Sequence, residues 1–210
     1  MEIFRFFVER HDEILAKTWQ HLQLVGVSMG IAIAIGVPLG LLLTRKEKLA
    51  PSILGFANVV QTVPSLALFG FLIPIPIIGG IGMRSATLAL VLYALLPILR
   101  NTYTGVRSVD PAVVEAGRGM GMTDIQRLRW IEVPLALPTM IAGVRIATVL
   151  TVGLATVASA IGAGGLGDFI FRGITMVDSR LIMAGALPAA ILAIALDVLL
   201  GRVEKGLVMT

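Results

Sequence analysis

Twenty residues carry the side chains best placed to act on another molecule: Glu115 to Pro134, EAGRGMGMTDIQRLRWIEVP. They form a polar, arginine-bearing island in a chain that is 57% apolar. The chemistry such a set supports is docking rather than bond-making. Asp110-Pro111, just upstream, sets an N-cap residue before a proline suited to a first helical turn, so a short helix is expected from Pro111 to about Gly117. Gly117, Gly119 and Gly121 should then break it and allow close backbone approach. Thr123-x-x-Gln126 is a capping-box pattern that opens a second short helix. Pro134 and Pro138 mark the return into an apolar run. Helix, glycine turn, helix makes a rigid knob able to pass rigid-body motion to a partner.

Other patterns give chemistry little to stand on. Ile161–Gly167 contains a formal G-x-G-x-x-G, but it follows an apolar run instead of a strand in a soluble unit, so it reads as a flexible turn and not a dinucleotide cradle. No G-x-x-x-x-G-K-[ST] occurs, so the chain has no P-loop of its own. With no cysteines there is neither a disulfide nor a thiolate metal site. His11 and His21 both lie in the polar leader and read as solvated or interfacial residues. No order of residues suggests a Ser/His/Asp arrangement, a metal site or a cofactor site, so no catalytic residue is expected.

The elements that must position the island are membrane spans. Only 14% of the 210 residues are charged, against roughly 25% in soluble domains. Hydropathy gives five runs, at about 22–43, 53–73, 83–99, 135–158 and 181–200. The first has 22 residues and would make a helix of about 33 Å, enough for a hydrocarbon core of about 30 Å. Backbones in lipid must satisfy their own hydrogen bonds, and none of the runs alternates as a barrel strand would, so all five read as helices. Residues 1–21 are too charged for a cleavable signal core and read as an interfacial helix, with 201–210 as a tail. The net charge of +4 fits membrane topology better than nucleic acid. Ten Lys and Arg residues fall in 44–51, 100–133 and the C-terminus, against five on the opposite side. That imbalance places the island and the C-terminus in the cytoplasm and the N-terminus outside. Five spans do not divide into two equal halves, which argues against an inverted-repeat secondary transporter.

Inside the spans, Gly26-x3-Gly30 and Gly36-x3-Gly40 are packing signals. Pro64 should kink the second span, with Asn58, Gln61, Thr62 and Ser65 gathered near the break, either lining a pathway or repairing freed carbonyls. Arg145 is the one charge deep in a run, facing a watery cavity, bracing the bundle or reaching back to the interface.

The island's spacing resembles the "EAA" loop of the membrane subunits of bacterial ABC importers, E-A-A-x3-G-x9-I-x-L-P. Glu115, Ala116, Gly121, Ile131 and Pro134 match, while Gly117 replaces the second Ala and Val133 replaces Leu. Nearly the whole chain is similar to the osmoprotectant branch of these permeases, most visibly in Pro97–Gly105 and in Gly162–Phe171. The resemblance implies an all-α integral membrane protein with the five-span, type I ABC-importer permease fold, an N-terminal interfacial helix and a cytoplasmic coupling helix. It implies alternating-access import of glycine betaine, carnitine, choline or related solutes across the bacterial inner membrane. It also implies two ATPase subunits that bind Mg-ATP, a second permease protomer forming a two-fold dimer, and a solute-binding protein. Glu115, Ala116, Gly117, Gly121, Ile131 and Pro134 would couple to the ATPase. Gly162, Gly164, Gly165 and Gly167 would lie where the binding protein docks. Asn58, Gln61, Pro64, Ser65 and Arg145 are the pathway candidates. Quaternary ammonium groups suit aromatic cages, and with two Trp and two Tyr this chain shows no obvious one, so recognition would rest mainly with the binding protein. The alternatives are a permease for methionine or another amino acid and, in a different class, a gated channel or membrane scaffold.

Overall fold

A computed structural model describes residues 2–75 and 79–208; Met1, residues 76–78 after the second span and the last two residues of the expected tail lie outside the described residues. The chain is helical throughout: α1 Glu2–Glu9, α2 His11–Arg45, α3 Ala50–Thr62, α4 Ser65–Leu72, α5 Met83–Arg107, α6 Pro111–Gly119, α7 Asp124–Arg127, α8 Val133–Ala158, α9 Gly167–Met176 and α10 Ser179–Val208. Four helical stretches, those of α2, α5, α7–α8 and α10, are long and apolar enough to cross a bilayer, and the bent pair α3–α4 makes a fifth candidate.

Helix α5 is the central post, packed on α2, α3, α4 and α8, with α10 laid against α8 and α9. Small side chains let these helices approach closely: Ala32, Ala86, Ala89, Ala147, Ala155 and Ala158 are fully buried. A Cβ added at Gly36 would lie 2.8 Å from Ile98 Cγ2, and one at Gly40 2.7 Å from Thr102 Cβ. The second small-residue pair in α2 therefore seats it against α5, and the rising order of partners shows that the two helices run parallel. The first pair does not pack within the chain: Gly26 and Gly30 meet nothing within 4 Å among the described residues. In the Pro97–Gly105 stretch, Asn101 backs onto Gly143 and Gly105 onto Thr139, so this stretch joins α5 to α8.

Two features differ from expectation. Helix α2 runs unbroken from His11, so residues 11–21 continue the first span's helix. Their polar groups find partners: Arg172 donates to Glu13 at 2.8 Å, Lys17 pairs with Asp168, and buried His21 places Nε2 3.1 Å from the Val152 carbonyl oxygen. At Pro64 the chain breaks instead of kinking. Val63 and Pro64 are extended, with ψ of 130° and 134°, and α3 and α4 meet at 102°. The proline ring excludes its predecessor from the helical region, and Val63, being β-branched, resists that region as well.

Candidate functional site

The polar island folds as a compact knob between α5 and α8. Asp110 caps α6, accepting a hydrogen bond from Ala112 N–H at 2.8 Å. The capping box closes in both directions: Gln126 N–H donates to Thr123 Oγ1 at 3.3 Å, and Thr123 N–H to Gln126 Oε1 at 2.8 Å. A single π-helical turn, Leu128–Glu132, then feeds α8, where Pro134 occupies the first turn and needs no amide partner.

Gly117 does not break α6, which continues to Gly119; the turn comes at Gly121, whose φ of +80° favours glycine. Gly117 is instead a packing position. A Cβ there would lie 2.6 Å from Ile131 Cδ1 and 3.3 Å from Met122 Sδ. Two motif residues fourteen positions apart are thus in contact across the knob. Glu115 is exposed and accepts from Arg118 at 3.0 Å. Ala116 lies within α6, one residue before the Gly117 contact.

The knob is pinned from below by residues that sequence reasoning did not single out. Glu132 is buried and accepts from Arg45 Nη2, at the end of α2, at 2.7 Å. Arg45 also reaches the Asp124 carbonyl oxygen at 3.4 Å, and buried Arg127 pairs with Asp124. A buried carboxylate and a basic helix end hint at such a staple, but 87 residues separate its two members. Met120, Ile125 and Trp130 are left exposed, by 74%, 77% and 69%. A cavity of about 360 Å³ opens between Met120, Gly121, Met122, Gln126 and Trp130. Exposed apolar side chains gathered on one rigid knob are the kind of surface that suits protein docking.

The glycine-rich segment lies at the other end of the bundle and is more ordered than the expected turn. Gly162, Gly164 and Gly165 have φ of +75°, +77° and +85°. Gly165 N–H donates to Gln20 Oε1 at 3.3 Å and Ser159 Oγ to the Gly164 carbonyl at 2.7 Å. A side chain at Gly167, the first residue of α9, would run into the Thr156 carbonyl. The segment is fastened to the start of α2.

The remaining candidates divide. At the α3–α4 break, Gln61 Nε2 donates to the Tyr93 carbonyl oxygen at 2.9 Å, and Tyr93 O–H donates to the Val63 carbonyl. The Tyr93 hydroxyl thus satisfies a carbonyl opened at the break, and Gln61 satisfies the Tyr93 carbonyl, which Pro97, four residues on in α5, cannot bond. Asn58 and Pro64 are exposed and Ser65 half-buried. Arg145 grips Asp197 through Nε and Nη2 at 2.6 and 2.8 Å, and reaches Glu204 at 3.2 Å, beside a cavity of about 370 Å³. Asp197 is thus an ion-pair partner of Arg145. The structure does not bring Arg145 to the α3–α4 break: it lies on the α8–α10 seam.

Residues 33–208 match the family described as binding-protein-dependent transport system inner membrane component. The chain is 48% identical over 206 residues to the osmoprotectant import permease protein OsmW of Salmonella typhimurium, covering 97% of this chain and 96% of that protein. It is 47% identical to the carnitine transport permease protein OpuCB of Listeria monocytogenes, covering 98% of this chain and 93% of that one. Among solved structures, a chain of the MetNI methionine ABC transporter in an inward-facing conformation is similar at a TM-score of 0.83 and 25% identity, covering 92% of this chain and 96% of that one.

Proposed function

We propose, from the premise that the chain belongs to the family of inner membrane components of binding-protein-dependent transport systems, that it forms the translocation pathway of an ATP-driven importer of quaternary ammonium compatible solutes. Glycine betaine, carnitine and choline are the solutes in view. The observation that carries this reading is near full-length identity of 43–48% to permeases named for osmoprotectants, carnitine and choline. The MetNI likeness supports the fold, and its lower identity gives methionine less claim as the solute.

Two such permeases would pair about a two-fold axis with the conduit between them. Each α6 knob would sit in a groove of a separate ATPase subunit, which binds Mg-ATP. Glu115, Ala116, Gly117, Gly121, Ile131 and Pro134 form or shape that knob. ATP binding would draw the ATPase pair together, carry the two knobs inward and rock the helices from inward- to outward-open, driven by the partners' different affinities for the two states. The knob and C-terminus would be cytoplasmic, and the N-terminus and the Gly162–Gly167 segment outside, facing a solute-binding protein. Asn58 and Ser65 at the α3–α4 break are the pathway positions, with Gln61 and Pro64 shaping the break.

The test is uptake of labelled glycine betaine, carnitine, choline and methionine by proteoliposomes containing the assembled complex. ATP-dependent uptake of the quaternary ammonium solutes, with methionine excluded, is the expected result. ATP-dependent methionine uptake alone would overturn the solute class. Solute flux without ATP would point to a channel, and no flux under any condition to a scaffold.

A further inference from the structure

Arg84 opens α5 at the membrane face opposite the α6 knob, beside the Gly162 segment: a Cβ at Gly82 would lie 3.4 Å from the Gly162 carbonyl oxygen. It is exposed and has no ion pair or hydrogen-bond partner among the described residues. The other five basic residues of that face are each ion-paired, Arg172 with Glu13 and Lys17 with Asp168 among them. Below Arg84 runs an open groove of about 760 Å³ between α2 and α5, lined by Ile31, Ile35, Leu88 and Val91, with Thr87 and Met83 near its mouth. From Arg84 to Val91 the groove descends about 10 Å along the helix. A lone cation at the rim of an aliphatic channel, with both helices crossing a bilayer, matches a ligand with an anionic head and a hydrocarbon tail. A zwitterionic headgroup would bring its own cation to Arg84, whereas a net-negative one brings unopposed charge.

We propose that the groove between α2 and α5 seats an anionic membrane phospholipid, with its phosphate on Arg84 and an acyl chain along Ile31, Ile35, Leu88 and Val91. The proposal is independent of which solute is carried.

The full chain, purified with its partner subunits, is titrated with phosphatidylglycerol or phosphatidylcholine of equal acyl length, and retained lipid is read by native mass spectrometry. The expected preference for phosphatidylglycerol is about fivefold, from one arginine near the membrane surface. It should be lost in Arg84→Gln and kept in Arg84→Lys. Ile35→Trp, which fills the groove, should lower retention of both lipids. Equal retention of the two lipids by the wild-type complex, or an unchanged preference in Arg84→Gln, overturns the proposal. The chain has no native cysteine, so Ile35→Cys tests a protein occupant directly. A disulfide-linked permease dimer formed in membranes through that position would replace the lipid with a second copy of the chain.

Discussion

Gly117 sets how tightly the knob closes. Carbon atoms in contact prefer about 3.5–4.0 Å, so alanine at 117, with its Cβ 2.6 Å from Ile131 Cδ1, overlaps that atom by about 1 Å. Overpacking of this kind costs about 1–3 kcal/mol, and exchanging a helical glycine for alanine offsets about 1 kcal/mol of it. The net loss for Gly117→Ala is therefore about 0–2 kcal/mol, or up to about thirtyfold in local opening. Ile131→Val removes the clashing atom and, at a half-buried site, should cost about 0.5 kcal/mol alone. In the double variant the clash disappears and the helix gain stays, so it should be at least as stable as Ile131→Val. The coupling between the two changes is then the relieved clash itself, about 1–3 kcal/mol in the stabilising direction. Hydrogen exchange of amides 112–134 in the assembled complex reads this directly, since protection tracks local opening. If the double variant loses as much protection as the two single losses added together, the Gly117–Ile131 contact does not limit closure and the reasoning fails.

Gly121→Trp should leave the complex assembled but reduce solute moved per ATP hydrolysed, because a bulky residue there disturbs the proposed docking face; unchanged coupling in uptake and ATPase assays would refute the docking role. Ile125→Cys and Ile81→Cys, at positions 77% and 80% exposed, should react with an impermeant thiol reagent from opposite membrane faces, and labelling of both from one face would refute the topology. Gln61→Leu removes a bond worth about 1 kcal/mol and leaves the Tyr93 carbonyl unpaired, so it should lower the yield of folded complex while transport per complex stays the same. Loss of transport at normal yield would instead put Gln61 in the pathway. For the ion triad, Arg145→Met alone should lower thermal stability more than Arg145→Met combined with Asp197→Leu and Glu204→Leu, because the single change leaves two carboxylates at the α8–α10 seam without their cation while the triple change removes all three charges; the reverse order would deny the triad a bracing role.

Local rules carried the sequence reading a long way. Asp110 and Thr123 cap the helices their spacing announced, because capping is settled within three or four residues. The apolar runs lie in α2, α3–α4, α5, α8 and α10, because hydropathy averages over a whole helix. What escaped was settled by distant partners. The charged stretch 11–21 looked unfit to continue a span until Glu13, Lys17 and His21 found Arg172, Asp168 and Val152. Gly117 read as a helix breaker because nothing nearby in sequence reveals Ile131 leaning over it. Arg45 and Glu132 each looked like an ordinary loop charge. At Pro64 the local rule identified the place but not the size of the bend, which also depends on Tyr93 holding the Val63 carbonyl from α5 and on Gln61 tying α3 to the Tyr93 carbonyl.

Helix α2 is one continuous element tied near both ends, through Glu13, Lys17 and Gln20 to the glycine segment and α9, and through Arg45 to the knob. From Lys17 to Arg45 it spans about 42 Å. Such an element acts as a lever across the membrane. A tilt of about 5° around its centre would shift each tied end by about 2 Å, in opposite directions. An event at the α9 end then need not travel residue by residue through the bundle to reach the knob. It arrives as a displacement of Arg45, and Glu132 must either follow or let go.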